Sequence, residues 1–255
     1  MGADYKNWIP NRKVYALGAG TVALAATAAG LTFSKKKPLA FVAGAGAALT
    51  GIAAAWSAVA YDAFSDNGKR KLARRITEGV ADKVVLPDGG LGLDIGCGSG
   101  ALTIECARRN PGAKMVGVDR WGMKWNPYSK ELCEANAEAE GVQNVTFCKA
   151  DAVKLDFPDE TFDMVTSNYV FHFIKWHNHQ DMLREAFRVL KKGGTFAIHD
   201  VFSWEYYGDM KKFIQELKNL GFEEVEFYST AKELMTPGEA AVLLLKDSAM
   251  LCGKK

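Results

Sequence analysis

The chain has 255 residues, enough to bury one sizeable core. Its 32 Lys and Arg stand against 30 Asp and Glu, a net charge of +2, so charge gives no reason to expect a nucleic-acid partner. The five cysteines (Cys97, Cys106, Cys133, Cys148, Cys252) are scattered, odd in number and without C-x-x-C spacing. That fits reduced thiols in a cytosolic domain better than a disulfide framework or a zinc site.

The N-terminal quarter differs from the rest. No charged residue occurs from Val14 to Phe33, and none from Leu39 to Tyr61. Each stretch has about the 20 residues a helix needs to cross a ~30 Å hydrocarbon core. Only Ser34-Lys35-Lys36-Lys37-Pro38 lies between them, so a helical hairpin is expected, with helices at about 14–33 and 39–61. Residues 1–62 then form a membrane hairpin and 63–255 a second domain. Small residues four apart (Ala26 and Gly30, Gly44 and Ala48, Ala47 and Gly51) let helix backbones approach closely in lipid and offer faces for self-association. Tyr15, Trp56 and Tyr61 suit the membrane interface. A soluble Ala-rich helical pair and an uncleaved signal-like segment are the rival readings. Lys6, Arg12 and Lys13 before the hairpin, with Lys69, Arg70, Lys71, Arg74 and Arg75 after it, outnumber the three lysines of the turn. Both ends are therefore expected on the cytoplasmic side of a cytoplasmic membrane.

Leu72, Ile76, Val80 and Val84 recur at helical spacing, so 69–85 reads as a helix leading to the second domain, with basic residues suited to anionic headgroups. Strands and helices then alternate. Strands are expected at Leu91–Ile95, Lys114–Val118, Val145–Lys149, Phe162–Ser167 and Thr195–His199, and helices near Ala101–Arg109, Pro127–Glu140, Gln180–Leu190 and Tyr207–Leu220. Phe222–Ser229 and Ser248–Cys252 make a closing pair of strands. This is the pattern of an α/β doubly wound, mostly parallel sheet, whose ligands bind at the carboxyl ends of the strands.

The first strand runs into Leu93-Asp94-Ile95-Gly96-Cys97-Gly98-Ser99-Gly100. A glycine turn tolerates positive φ and has no Cβ, so backbone comes close to a nucleotide-like ligand. Asp94 precedes the first glycine by two residues, where a carboxylate repels a pyrophosphate and welcomes a cation. Asp119 ends the next strand, about where a ribose-binding carboxylate is expected. Gly96-x-Gly98-x-x-Ala101 also satisfies the dinucleotide fingerprint, so an NAD-dependent oxidoreductase stays in view.

LDIGCGSG resembles the first motif of class I S-adenosylmethionine-dependent methyltransferases, VGVD the second, and CKADAVKLDFPDETFDMVTSN the third and fourth. LREAFRVLKKGGTFAIHD is similar to the helix, turn and fifth strand that follow. The likeness spans roughly 69–255, is strongest toward the branch that includes the quinone-biosynthesis methyltransferases, and implies a seven-stranded sheet with an antiparallel final strand, which dinucleotide folds lack. It implies S-adenosyl-L-methionine as cofactor, with Asp94, Gly96, Cys97, Gly98 and Gly100 around the methionine part, Cys97 through its backbone. It further implies Asp119 on the ribose, Asp151 and the Ala152 amide on the adenine, and Asn168 at the reacting end. Position 120 often carries an apolar side chain over the adenine; here Arg120 stands there and Trp121 follows, so either covers the ring.

Methyl transfer asks for a nucleophile held in line with the methyl and for exclusion of water. A base is needed only if the acceptor must lose a proton. His172, four residues past Asn168, is the general-base candidate, with a hydrogen-bonded wall residue as its alternative. Tyr169, Trp176, His199 and Tyr206 are candidates for the acceptor pocket. His177-x-His179 reads as solvated rather than metal-binding. The aromatic loop Arg120–Tyr128 caps the cofactor, dips into a bilayer surface or is plain packing. The expectation is a membrane-anchored methyltransferase acting on a small, lipid-like acceptor. A non-catalytic cofactor-binding or membrane scaffold protein is the alternative from another class.

Overall fold

In the computed structural model, which describes residues 2–122 and 127–255 (Leu234 by its backbone alone), two apolar helices come first. They are α1 (Asn11–Phe33) and α2 (Lys37–Phe64). Both run a few residues past the uncharged stretches, because Arg and Lys are good helix formers that carry their charge to the end of a long stem. Pro38 falls in the first turn of α2, where a missing N–H costs nothing. The helices pack through small residues: a Cβ on Gly46 would meet Leu24 at 3.4 Å, and one on Gly51 would meet Thr21 at 3.4 Å. The hydroxyls of Thr21 and Thr50 share a hydrogen bond of 3.0 Å between them. The side chain of Asn7 donates to Tyr61 O at 2.8 Å, and Trp8 lies 5.0 Å from the Phe64 ring. Mean hydropathies of 1.6 and 1.7 qualify both helices to cross a membrane by length and composition. A core helix of a soluble protein passes the same test but is mostly buried, whereas the apolar windows here are 0% and 6% buried. Phe33, Phe41, Leu49 and Ile52 are all exposed. Exposure on this scale suggests a membrane anchor.

By compactness the chain forms two units, Lys6–Arg74 and a larger one made of residues 2–5 with Arg75–Lys255. Helix α3 (Leu72–Ala81) is shorter than the expected 69–85, starting after Lys71, whose φ of +49° is not helical. Leu72, Ile76, Val80 and Val84 are buried, as their spacing predicts.

There follow β1 (Leu91–Ile95), α4 (Ala101–Arg109), β2 (Lys114–Asp119), α5 (Lys130–Ala139), β3 (Val145–Lys149), β4 (Phe162–Asn168), α6 (His179–Arg188) and β5 (Leu190–Val201). The chain closes with α7 (Trp204–Tyr207), α8 (Met210–Asn219), β6 (Glu223–Ser229), α9 (Ala231–Leu234), α10 (Pro237–Val242) and β7 (Ser248–Lys254). The sheet order is β3-β2-β1-β4-β5-β7-β6. The first five strands are parallel and β7 runs antiparallel to both its neighbours. This is the Rossmann-like methyltransferase arrangement, and its antiparallel β7 separates it from the dinucleotide fold. Order reverses at β1, with β2 on one side and β4 on the other, so the binding crevice opens beyond the carboxyl ends of these three strands.

Other elements also differ from expectation, β5 among them, which starts at Leu190 rather than Thr195. The helix expected over Tyr207–Leu220 is broken at Gly208 (φ 63°, ψ −139°), after which the side chain of Asp209 caps α8 through Lys212 N. Helix α5 begins at Lys130 rather than Pro127, because the Ser129 hydroxyl accepts from Leu132 N and caps it there. Helices α9 and α10 were not anticipated, although Thr236 and Glu239 form a capping box in front of the second. Behind β4 and β5 the core is aromatic: Phe162, Phe171, Phe187, Phe196 and Phe213 are buried, each contributing on the order of 1.5–3 kcal/mol of transfer free energy.

Candidate active site

The turn between β1 and α4 carries positive φ at Gly96 (73°), Gly98 (56°) and Gly100 (85°). Gly96 is needed twice over, since a Cβ there would also lie 2.3 Å from Val170 Cγ2. That close approach seats the segment after β4 directly on the turn. Gly96 N and Cys97 N donate to Val118 O at 2.7 and 3.0 Å, fixing the turn to β2. Cys97 is buried, and burial drives its thiol well above the ordinary range, which leaves it a backbone element rather than a nucleophile.

Asp94, 1% exposed, points inward from β1. Its carboxylate accepts from Thr103 Oγ1 at 2.6 Å and from Thr166 Oγ1 at 3.2 Å. Burial is the dominant influence and pushes it up to about 7; the two hydroxyls pull the other way, and Asp119 adds to the rise. Asp119 holds the turn from the end of β2, accepting from Gly98 N at 3.0 Å and from Trp121 N at 2.8 Å. The Trp121 indole N–H and the Cys133 thiol both donate to Gly98 O, at 3.0 and 3.2 Å. Of the two side chains left open by sequence, Trp121 therefore lies on the glycine turn. Arg120 instead sits 3.6 Å from Asp151 at the end of β3, an exposed pair of little energetic weight. Asp151 also accepts from Val153 N at 3.0 Å, and Ala152 beside it is buried. Residues 123–126 of the aromatic loop lie outside the described residues, so its proposed capping or bilayer role is not addressed by the fold.

Beyond β4 a second network forms around Asp200, which is 0% exposed at the end of β5. It accepts from Phe171 N (2.9 Å), His172 N (3.2 Å), Val201 N (2.7 Å) and Tyr207 OH (2.9 Å), and its Oδ1 bonds His172 Nδ1. Burial alone would raise this carboxyl; the bond and charge of His172, with the backbone and Tyr207 donors, hold it below its ordinary range instead. An ionised carboxylate only accepts, so Nδ1 carries the proton of this bond and Nε2 is the ring nitrogen not engaged by Asp200. His172 stands in a single 3-10 turn, Phe171–Phe173, two residues past Val170. Asp200 in this orienting role, with Tyr207 behind it, was not identified from sequence; the only signal was its place beside His199 at a strand end.

His199 requires a correction. It does not line an open pocket: it is buried, bonded to Asn168 Oδ1 at 2.9 Å and to Thr230 Oγ1 at 2.7 Å. Burial lowers it to about 4, so it is neutral, donating to Asn168 and accepting from Thr230. It thereby orients Asn168 at the end of β4. Tyr169 adopts a φ of +54°, packs its ring 4.6 Å from His199 and bonds Ser248 Oγ at 2.6 Å, while burial raises its phenol. A non-glycine residue in this region is strained, as is common at functional sites. His179 is buried against Tyr206 and Tyr207, with its Nε2 unpartnered, and burial lowers it; His177 is exposed. Among the described residues, no group of three or more His, Cys, Asp or Glu is placed to hold a metal ion. Trp176 is 97% exposed; Phe173 and Tyr206, whose rings contact His172, are exposed too, as is Trp204.

The donor set suits S-adenosylmethionine. A glycine turn with φ-positive backbone, a buried carboxyl without a countercharge and a second carboxylate at β2 favour a nucleoside with a cationic tail over a pyrophosphate.

Comparison with known proteins agrees. Residues 93–198 match the Methyltransf_11 family, described as a methyltransferase domain. A demethylmenaquinone methyltransferase of Thermus thermophilus is 37% identical over 106 residues, 42% of this chain and 44% of that protein. A sterol 24-C-methyltransferase of Gibberella zeae is 31% identical over 150 residues, 57% of this chain and 36% of that one. The chain thus spans less than half the length of these two curated relatives. The solved structure of a geranyl diphosphate methyltransferase in complex with S-adenosylmethionine superposes with a TM-score of 0.58 over 76% of this chain and 90% of that chain, at 15% identity, which shows a shared fold.

Proposed function

We propose that the chain carries a class I S-adenosylmethionine-dependent methyltransferase domain and is a membrane-anchored enzyme that methylates a small lipophilic acceptor. The observation that carries this reading is the His172–Asp200 pair, two residues past Val170, which packs on Gly96 of the glycine turn. When bound, the cofactor supplies a methyl already activated on a sulfonium; the chain's own residues hold, orient and deprotonate. Asp94 and the turn at Gly96, Cys97, Gly98 and Gly100 hold the cationic amino-acid end. Asp119 takes the ribose hydroxyls on lone pairs left over after Gly98 and Trp121. Asp151 and the Ala152 amide read the adenine, which Trp121 covers. Asn168, fixed by His199, faces the reacting end.

His172 Nε2 takes the acceptor's proton, and Asp200 steadies the imidazolium that results, the division of labour of any carboxylate-oriented histidine base. A lipophilic acceptor is supported by exposed Phe173 and Tyr206 around this histidine, by exposed Trp176 four residues on, and by the relatives named for demethylmenaquinone and a sterol. The N-terminal hairpin would keep the domain on the bilayer that dissolves such an acceptor. Basic residues flanking the hairpin, and the cellular source of the cofactor, favour the cytoplasmic face.

The test incubates full-length protein with labelled S-adenosylmethionine and membranes from cells lacking it. A labelled, organic-extractable product is expected, absent with His172→Ala. Label appearing only in water-soluble products would overturn the lipophilic assignment. Full-length protein should also stay with membranes through carbonate, whereas release would remove the transmembrane anchor.

A further inference from the structure

We propose that residues 2–5, which precede the hairpin, are a clasp on the cofactor turn, joined to it by Asn136 as a positioning residue. The inference rests on the cofactor reading above.

Asn136 is on α5 and is 2% exposed. Its Oδ1 accepts the Asp4 N–H at 2.7 Å. Its Nδ2 has two hydrogens and two carbonyls to receive them, Asp4 O at 3.2 Å and Ser99 O at 3.0 Å. The amide therefore pairs with the backbone of residue 4 as a neighbouring strand would, and the same NH2 satisfies a carbonyl inside the glycine turn. Ser99 is buried, and a buried carbonyl left without a donor is costly. The other fastenings of this turn come from residues that follow it in the sequence: Asp119, Trp121 and Cys133 hold Gly98. Through Asn136 the turn is also tied to chain that lies on the far side of 69 residues of hairpin and linker, Lys6–Arg74.

Two consequences follow. The shape of the turn, and with it cofactor affinity, depends on residues 2–5. Those residues and the turn must also share one side of any bilayer the hairpin enters, so the chain between them crosses an even number of times. That conclusion is independent of the positive-charge bias.

The experiment uses full-length protein in lipid nanodiscs, with S-adenosylhomocysteine binding read by calorimetry. Asp4→Pro removes the donated N–H without touching α5 or the turn; Asn136→Ala removes the whole clasp. Each should weaken binding about two- to tenfold, the value of one or two net hydrogen bonds. KM for S-adenosylmethionine should rise in step while kcat at saturating cofactor stays put. Combining them should add nothing to Asn136→Ala, since both break one clasp. Unchanged affinity in Asp4→Pro, or additive effects in the double variant, would overturn the clasp. In a second arm, epitope tags before residue 2 and after Lys255 are probed with protease in sealed vesicles. Protection of both or of neither is expected, and protection of one alone would overturn the proposal. Should the parent bind no S-adenosylhomocysteine, the cofactor reading falls while the vesicle arm still decides the clasp.

Discussion

Asp94 and Asp200 are both fully enclosed carboxyls at strand ends of one sheet, yet they sit on opposite sides of their ordinary acidity. Burial pushes both up. Around Asp94 the chain supplies two neutral hydroxyls and, nearby, another carboxylate. Around Asp200 it supplies an imidazole, three backbone N–H groups and a phenol. The first site lacks a countercharge, which a cationic ligand would provide. The second is complete in itself, its carboxylate bonded to the Nδ1 of His172. On the proposed reading, the donor and acceptor ends of the cleft would use the same side-chain type, in one case to recruit charge and in the other to aim it.

The strongest way to break this contrast is at the acceptor end. His172→Ala should lower turnover by about 10²–10⁴-fold, the usual weight of a general base, with cofactor affinity unchanged in calorimetry. Asp200→Asn should fall in the same range, because the amide no longer fixes the Nδ1–H tautomer. If His172→Ala raises only the acceptor KM, the histidine is a wall of the pocket.

At the donor end the signature is pH. The folded protein holds a proton on Asp94 up to about 7, whereas the unfolded chain releases it near 3.8. The group's contribution to stability is therefore full below the unfolded value and lost as pH rises through the folded one. Asp94→Asn removes that loss, so without cofactor the variant should gain on the parent by on the order of 4 kcal/mol between pH 3 and pH 8. Urea unfolding at several pH values reads the difference, and parallel curves would sink the assignment. Cofactor affinity of the parent should rise with pH through this window and stay flat in the variant.

Asp119→Ala should weaken S-adenosylmethionine binding by about tenfold to a hundredfold, or ~1.5–3 kcal/mol. Unaltered binding would remove Asp119 from the ribose. The smallest effect is expected at Thr230→Val, which leaves His199 Nε2 buried without a donor. Thermal unfolding should register about 1–3 kcal/mol, with turnover reduced only through a less well-held Asn168.

These two ends were unequally legible in the sequence. The donor end is written in backbone terms: a buried run, an acid, three glycines and a helix start, all within a dozen residues, so its strands and α4 fell where spacing placed them. Trp121 could not be chosen over Arg120 because that depends on a φ of +38° at Trp121 and on an indole reaching back to Gly98. The acceptor end is written in side chains that meet only after folding. His199 and Asp200 are adjacent, and both read as rim residues. The pleat of β5 sends them to opposite faces, one to Thr230 and the other to His172. Pairs such as Tyr169 with Ser248, 79 residues apart, have no local pattern to betray them.

Residues 2–5 have a bearing on synthesis. Asp4 leaves the ribosome 132 residues ahead of Asn136. At about 5–20 residues per second that is a wait of roughly 7–26 s. During it, the two apolar helices are made with their leading end still unattached. Only when α5 emerges does the amide that receives this end exist. The larger unit thus receives this early piece of chain only after its own α5 is made, so the clasp waits on synthesis of the whole hairpin. Nascent chains arrested before residue 136 should carry a protease-sensitive N-terminus that becomes resistant once α5 is released.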